Sequence, residues 1–319
     1  MSNINVAVVG SPGFSRELGK RGTESDVTFY NMKKGEDTVT LLEPTRYPEK
    51  MASLFYASSF ADIAVLVVER IDAAFGESVL MLDSVGVDRG VIVLRNYISE
   101  EKVGRFLKGT RLQGYEVIAD EPAQLREWLM AEAHSNGSGS TGAGVGTVVV
   151  DHSYNVRGIG AVALGVVRGG TVSVHDHLNV LPGGKVAQVR SIQKHDDNFD
   201  SAGVGDRVGL ALKGVDVKDI ARGSVLSGRE NLVVTSAFSS KVRLVPYWLN
   251  PLREGMVLHL GHWMQFNAAR VESIEDNGDG NPVAAIRLER PLVHPSGSRA
   301  VVTYLDGGNL RIVGSADLP

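Results

Sequence analysis

Apolar positions along the chain follow two regimes, divided at residues 135–145. Before the division, runs at Val6–Val9, Val39–Leu42, Ile63–Val68 and Val91–Leu94 have the length and β-branched content of buried strands. They alternate with helix-like stretches at Tyr47–Ser59, Phe75–Val85, Ser99–Leu107 and Pro122–Glu132, the last opening on a proline suited to a first helical turn. Strands separated by helices predict a parallel sheet, with any ligand beyond the carboxyl ends of the strands. The run Ser135–Gly144 is rich in Gly and Ser, so 1–134 reads as an α/β domain and 135–145 as a linker. From Gly146 onward no amphipathic helix of useful length appears. Short Val-rich runs punctuated by Gly169-Gly170, Pro182-Gly183-Gly184 and Gly203-Val204-Gly205 predict a closed β-barrel over 146–229. A turn-rich cluster, Ser227–Asn231, then opens runs at Leu258–Gly261, Ala284–Leu288 and Arg311–Gly314, which predict a second barrel over 230–319. The expected fold class is multi-domain: α/β followed by all-β.

Composition narrows the chemistry. The 319 residues include no cysteine, which removes disulfides, thiolate metal sites and cysteine nucleophiles. No apolar run is long enough to span a bilayer, and the first residues have neither a basic nor an apolar leader region. A cytoplasmic protein without a membrane partner is expected. With a net charge of −4, a nucleic-acid partner needs a local basic surface, and DNA is not expected. His175 and His177, and His259 and His262 beside Trp263, read as strand residues, with no metal assigned to them.

The second regime carries the most specific text. It reads Val156-Arg157-Gly158-Ile159-Gly160 through Gly170, then Asp176–Val180, Val189–Gln193, Gly205-Asp206-Arg207-Val208-Gly209 through Leu212, and Ile220–Gly223. These pieces, in this order and with these gaps, closely resemble domain 2 of elongation factor Tu and its relatives. Within that superfamily the chain looks most like SelB-type factors, and more narrowly like the methanogen SelB-like proteins called EF-Pyl. Ser191-Ile192-Gln193-Lys194-His195 and Arg207 are the SelB-like details. The resemblance spans nearly the whole chain. It implies a GTPase-like first domain before two barrels, GTP with Mg²⁺ as cofactor, aminoacyl-tRNA as partner and the ribosome as the place of action. It also assigns His195, Asp196 and Arg207 to the pocket for the esterified amino acid. Elongation factor Tu typically carries Asn at the Arg207 position, and a cation there suits a carboxylate, a selenolate or an electron-rich carbonyl. The plain alternative is a surface arginine at a strand start. Arg287, Arg290, Arg299 and Arg311 would by the same resemblance touch the T-stem of tRNA, or else decorate solvated strand faces.

Against that resemblance, the nucleotide stations of the first domain are altered. A phosphate loop needs glycines that let N–H groups approach, a lysine for the terminal phosphates and a Ser/Thr hydroxyl for Mg²⁺. Here Gly10 and Gly13 follow the first strand, but Ser15 stands at the second glycine, Arg16 at the lysine and Glu17 at the hydroxyl. Glu17 sets a carboxylate where phosphate and Mg²⁺ would meet. A register on Gly19-Lys20 begins too far from its strand. The next station reads Glu43-Pro44-Thr45-Arg46-Tyr47 in place of Asp-x-x-Gly-His, so Glu43 and Arg46 form a degenerate switch. The guanine station reads Arg95-Asn96-Tyr97-Ile98, with Asn96 but no acceptor Asp. Weak or absent GTP binding is expected, with no catalytic residue assigned. Three readings follow: a tRNA-binding SelB-like homologue, a scaffold that kept the architecture alone, or a GTPase with compensating residues.

Overall fold

The computed structural model describes Ser2–Ser135, Gly144–His195, Asp197–Glu275, Gly278 and Gly280–Pro319. Most of the expected linker and the expected pocket residue Asp196 therefore lie outside the described residues. The first domain comprises β1 (Ser2–Val9), β2 (Lys20–Glu24), β3 (Val27–Lys34), β4 (Asp37–Pro44), α1 (Met51–Ser59), β5 (Ile63–Val68), α2 (Ala73–Val85), β6 (Gly90–Leu94), α3 (Glu100–Leu107), β7 (Glu116–Ile118) and α4 (Pro122–Ser135). Its sheet runs β2-β3-β4-β1-β5-β6-β7. The order reverses beside β1, which makes the carboxyl ends of β1, β4 and β5 the crevice where α/β sheets hold ligands.

The expected parallel sheet needs one correction. From β4 to β7 every pairing is parallel, but β3 pairs antiparallel with β4, and β2 with β3. A tight turn at Gly35-Glu36, with Gly35 at φ 62°, joins β3 to β4, and a hairpin can only be antiparallel. A second departure matters more. Where a phosphate loop normally passes from its strand into a helix, this chain makes one 3₁₀ turn, Phe14–Glu17, and goes directly into β2.

The next nine strands are β8 (Thr147–Val156), β9 (Gly160–Gly169), β10 (Val172–Ser173), β11 (His177–Leu181), β12 (Lys185–Lys194), β13 (Asp197–Phe199), β14 (Ser201–Ala202), β15 (Arg207–Lys213) and β16 (Val225–Ser227). The cycle β11-β16-β8-β9-β15-β12 closes back on β11 as a barrel, filled by Val148, Val150, Leu178, Val189, Leu210 and Leu226. His175 falls in a turn at φ 76° before β11, so it does not share a strand face with His177. The remaining strands are β17 (Leu232–Leu244), β18 (Val257–His262), β19 (Gln265–Glu275), β20 (Val283–Pro295), β21 (Arg299–Thr303) and β22 (Ile312–Asp317), closed into a second barrel.

The three domains share cores. Val27, Phe29, Leu42, Ala57 and Phe60 of the sheet domain pack with Val149, Val166 and Val225 of the first barrel and Met264 and Val293 of the second. The second barrel also meets α1 closely: a Cβ on Gly261 would lie 2.4 Å from the Phe55 ring. Burial of this kind removes apolar surface from water at about 25 cal/mol per Å² and favours one domain arrangement.

Candidate functional site

The crevice at the switch point of the sheet is built from the loop after β1. Gly10, at φ 98°, is required there, since a Cβ would stand 2.0 Å from the Val67 carbonyl of β5. Gly13, at φ 86°, then turns the chain so that successive N–H groups point inward, the arrangement that cradles anions. An anion is already supplied by the chain itself. The Glu43 carboxylate, 6% exposed at the end of β4, accepts from the Gly13 N–H at 2.5 Å and the Ser15 N–H at 2.9 Å. Glu17, the expected source of repulsion, is exposed at the end of the 3₁₀ turn. Glu43 stands at the switch station of the sequence, and the fold makes it a ligand of the loop after β1.

The other stations are also bonded internally. Ser11 donates to Glu69 at 2.7 Å, and Arg95 donates to the same Glu69 oxygen at 3.1 Å. Arg95 holds both oxygens of Asp120, at 2.8 and 3.1 Å, and lies 4.8 Å from the Phe14 ring centre. Asn96, at φ 54°, donates its amide to the Glu69 carbonyl at 3.0 Å, and Tyr97 beside it is fully exposed. Arg16 is exposed, and the nearby Tyr30 side chain raises its pKa. Arg46, also exposed, lies 3.9 Å from Asp26. A cavity of ≈ 140 Å³ remains in the crevice, with Glu43, Glu69 and Asp72 in its wall. At the loop, Arg16 stands exposed at the lysine position, Glu17 at the position of the Mg²⁺ hydroxyl, and a 3₁₀ turn where a helix would begin; three carboxylates face the cavity against Arg70. These residues do not fit a Mg²⁺-nucleotide.

In the first barrel, Arg207 starts β15 and is ion-paired. Its guanidinium donates to both oxygens of Asp151, at 2.9 and 3.2 Å, and stacks 3.9 Å from the ring centre of Phe29 in β3. Asp151 is fully buried. Desolvation pushes its pKa up, but Arg207 and the His152 ring at 2.5 Å outweigh that and hold it below the usual carboxylate range. His195, half-buried at φ 48°, stands in the hairpin turn after β12. The neighbouring Lys194 pairs with Asp206 at 3.0 Å over the Phe199 ring.

Further clamps join the domains. Arg222 donates to Asp26 at 2.8 Å, to Ser25 at 2.7 Å and to the Asp151 carbonyl at 3.1 Å. Across the other boundary, Glu77 of α2, 3% exposed, receives Arg311 through Nε at 3.0 Å and Nη2 at 2.6 Å, and the Tyr47 hydroxyl at 2.9 Å. Burial beside Glu77 drives the Tyr47 phenol well above its ordinary pKa. Of the four arginines considered for tRNA, Arg311 therefore serves this clamp, while Arg287 pairs with Glu272 and Arg299 with Asp317. Lone acids in apolar surroundings were the available signal: Asp151 ends the run Val148-Val149-Val150, and Glu77 lies inside a helix flanked by Phe75 and Val79.

Comparison with known proteins agrees with this architecture. Residues 160–227 match the family described as elongation factor Tu domain 2. Translation elongation factor SelB of Methanococcus maripaludis, solved with the GTP analogue GppNHp, shares the fold at a TM-score of 0.81. It is 23% identical, over 99% of this chain and 79% of that one. An α/β domain followed by two such barrels is thus the fold shared with this elongation factor. Uncharacterized protein MJ0325 of Methanocaldococcus jannaschii is 32% identical over 100% of both chains. The selenocysteine-specific elongation factor of the same organism is 24% identical, over 95% of this chain and 72% of its own. The chain belongs to the family of MJ0325, within the SelB-like elongation factors of the elongation factor Tu superfamily. No helix among the described residues is long and apolar enough to cross a membrane.

Proposed function

We propose that this protein is a SelB-like elongation factor homologue that engages aminoacyl-tRNA and has replaced the phosphates of GTP with a carboxylate of its own. The Glu43 carboxylate on the Gly13 and Ser15 N–H groups carries this reading. An entering phosphate must displace two charge-assisted hydrogen bonds worth about 1.5–3 kcal/mol each. It then meets Glu69 and Asp72 and finds no lysine in return. Support for tRNA comes from the family, whose relative is named a selenocysteine-specific elongation factor, and from the Arg157–Gly160 and Gly205–Gly209 turns of the matched barrel. His195 and Asp196 remain the residues assigned to the aminoacyl end. Arg207 supports them indirectly, by fixing the start of β15 against Asp151. The ribosome and the cytoplasm are the setting this reading implies.

Calorimetric titration of the purified full chain with GTP and Mg²⁺ tests the first half. The expected result is no binding tighter than roughly 100 μM, the range left when several charge-assisted contacts are missing. Sub-micromolar affinity or steady Mg²⁺-dependent turnover refutes it. For the second half, aminoacylated tRNA is expected to bind more tightly than deacylated tRNA, and equal binding rejects the pocket assignment. The clamps Arg311–Glu77 and Arg222–Asp26 favour a second reading, a scaffold with a fixed domain arrangement. A folded protein that binds no tRNA at low salt selects it.

A further inference from the structure

The missing helix after the loop opens a trough on the face of the sheet domain that carries α4. Its volume is ≈ 510 Å³, and its walls bear Arg16, Lys20, Lys33, Lys34 and Arg126 against one carboxylate, Glu127. All five cations are exposed, in a chain whose net charge is −4. They come from three elements, the 3₁₀ turn, the β2–β3 hairpin and α4, and so flank the trough on both sides. Lys20 and Lys34 have no ion pair among the described residues, and Lys33 has only an exposed pair with Asp197 at 3.2 Å. Asp37, opposite Lys34 in the hairpin register, is turned to His134 at 3.0 Å. Arg126 ties α4 to the turn through the carbonyls of Leu18, at 3.0 Å, and Glu17. The basic walls are thereby held in place without neutralisation.

We propose that this trough binds the phosphodiester backbone of RNA, at a place separate from the aminoacyl-end region of the first barrel. An extended polyanion fits cations on two walls of an open channel, because each phosphate neutralised releases condensed counterions. An acidic amphipathic peptide fits less well: Leu18 and Met32 of the floor are buried and only Met130 is half-exposed, so the trough offers little apolar surface to anchor one. With no enclosed pocket for a base, the contacts position RNA and do not read its sequence. The choice of RNA as the polyanion rests on the elongation-factor reading above; the charge arrangement does not.

The test is fluorescence anisotropy of labelled deacylated and aminoacylated tRNA with the full chain, over a KCl series, for wild type and Lys20→Glu/Lys34→Glu. At about 100 mM salt the variant is expected to lose about tenfold or more in affinity, and its salt dependence to flatten by about one to two in log–log slope. Lys20→Gln/Lys34→Gln should change both in the same direction by a smaller step, with an unchanged melting curve. Unaltered affinity and slope in both variants overturn the proposal. Poly-L-glutamate of matched charge binding as tightly as tRNA, and weakened equally by the substitutions, overturns RNA as the partner. The ratio of charged to deacylated affinity should be the same in variant and wild type. A ratio of one in both, with the variant still weakened, rejects the aminoacyl reading and supports the trough.

Discussion

Replacing Arg311 by Met isolates the clamp between the sheet domain and the second barrel. The substitution removes guanidinium bonds to Glu77 at 3.0 and 2.6 Å and one to the Pro48 carbonyl at 2.8 Å. Glu77, 3% exposed, keeps only the Tyr47 hydroxyl and the Arg311 backbone N–H, each at 2.9 Å. Breaking a buried ion pair from one side costs about 3–5 kcal/mol, because the remaining charge is left without compensation. Two surviving hydrogen bonds, each worth about 1 kcal/mol net, reduce the expected loss to about 1–3 kcal/mol. Urea unfolding followed by fluorescence of Trp248 and Trp263, both in the second barrel, measures it. Glu77→Leu should be similarly harmful by itself, whereas Arg311→Met with Glu77→Leu should recover most of the loss, since an apolar pair of matched volume replaces a buried ion pair at little cost. A loss below about 1 kcal/mol for Arg311→Met, or strict additivity in the double variant, refutes the assignment of the pair as the clamp. The clamp also has a functional consequence. Tyr47 and Pro48 follow β4, and their bonds to Glu77 and Arg311 tie that segment to the barrel. Small-angle scattering of the wild type with and without GTP should therefore superimpose.

The junction with the first barrel responds to acid. Arg207 and His152 hold Asp151 below the usual carboxylate range, so its stabilisation is present above the ordinary carboxyl pKa of about 3.9 and is lost as pH falls through the folded value. Arg207→Met should cost about 3 kcal/mol at neutral pH by leaving Asp151 buried with His152 alone, and a chemical-denaturation series run down to pH 3 should show the wild-type advantage shrinking. His262 responds in a higher window. Burial depresses its pKa to about 4, so the unfolded chain takes up the proton first. Its contribution is then full above about pH 6.5 and is lost as pH falls toward 4, by about 2 kcal/mol after discounting for partial solvent access. His259 and His294, also depressed by burial, act in the same direction. His262→Phe should flatten the stability curve between pH 6.5 and 4, and an unchanged slope would count against a buried neutral imidazole.

What the chain determined by itself was its periodicity. Runs such as Ile63–Val68 and the Gly-punctuated segments after Gly146 specify strands locally, because side-chain alternation and turn preference depend on near neighbours. The two barrels and the α/β domain were legible for that reason. The hairpin β3 was missed, since Val27–Lys34 is buried on both faces toward its start and shows no clean alternation. Only the tertiary structure decided which acid meets which donor. Glu43 reaches Gly13 across 30 positions because β4 lies beside β1, and that adjacency follows from sheet order. Glu77 reaches Arg311 across 234 positions because two domains share a core. Arg207 was read from its neighbours in sequence as a residue for the amino acid on tRNA. Its partners are Asp151 on β8 and Phe29 in another domain, brought to it by packing that no local pattern encodes.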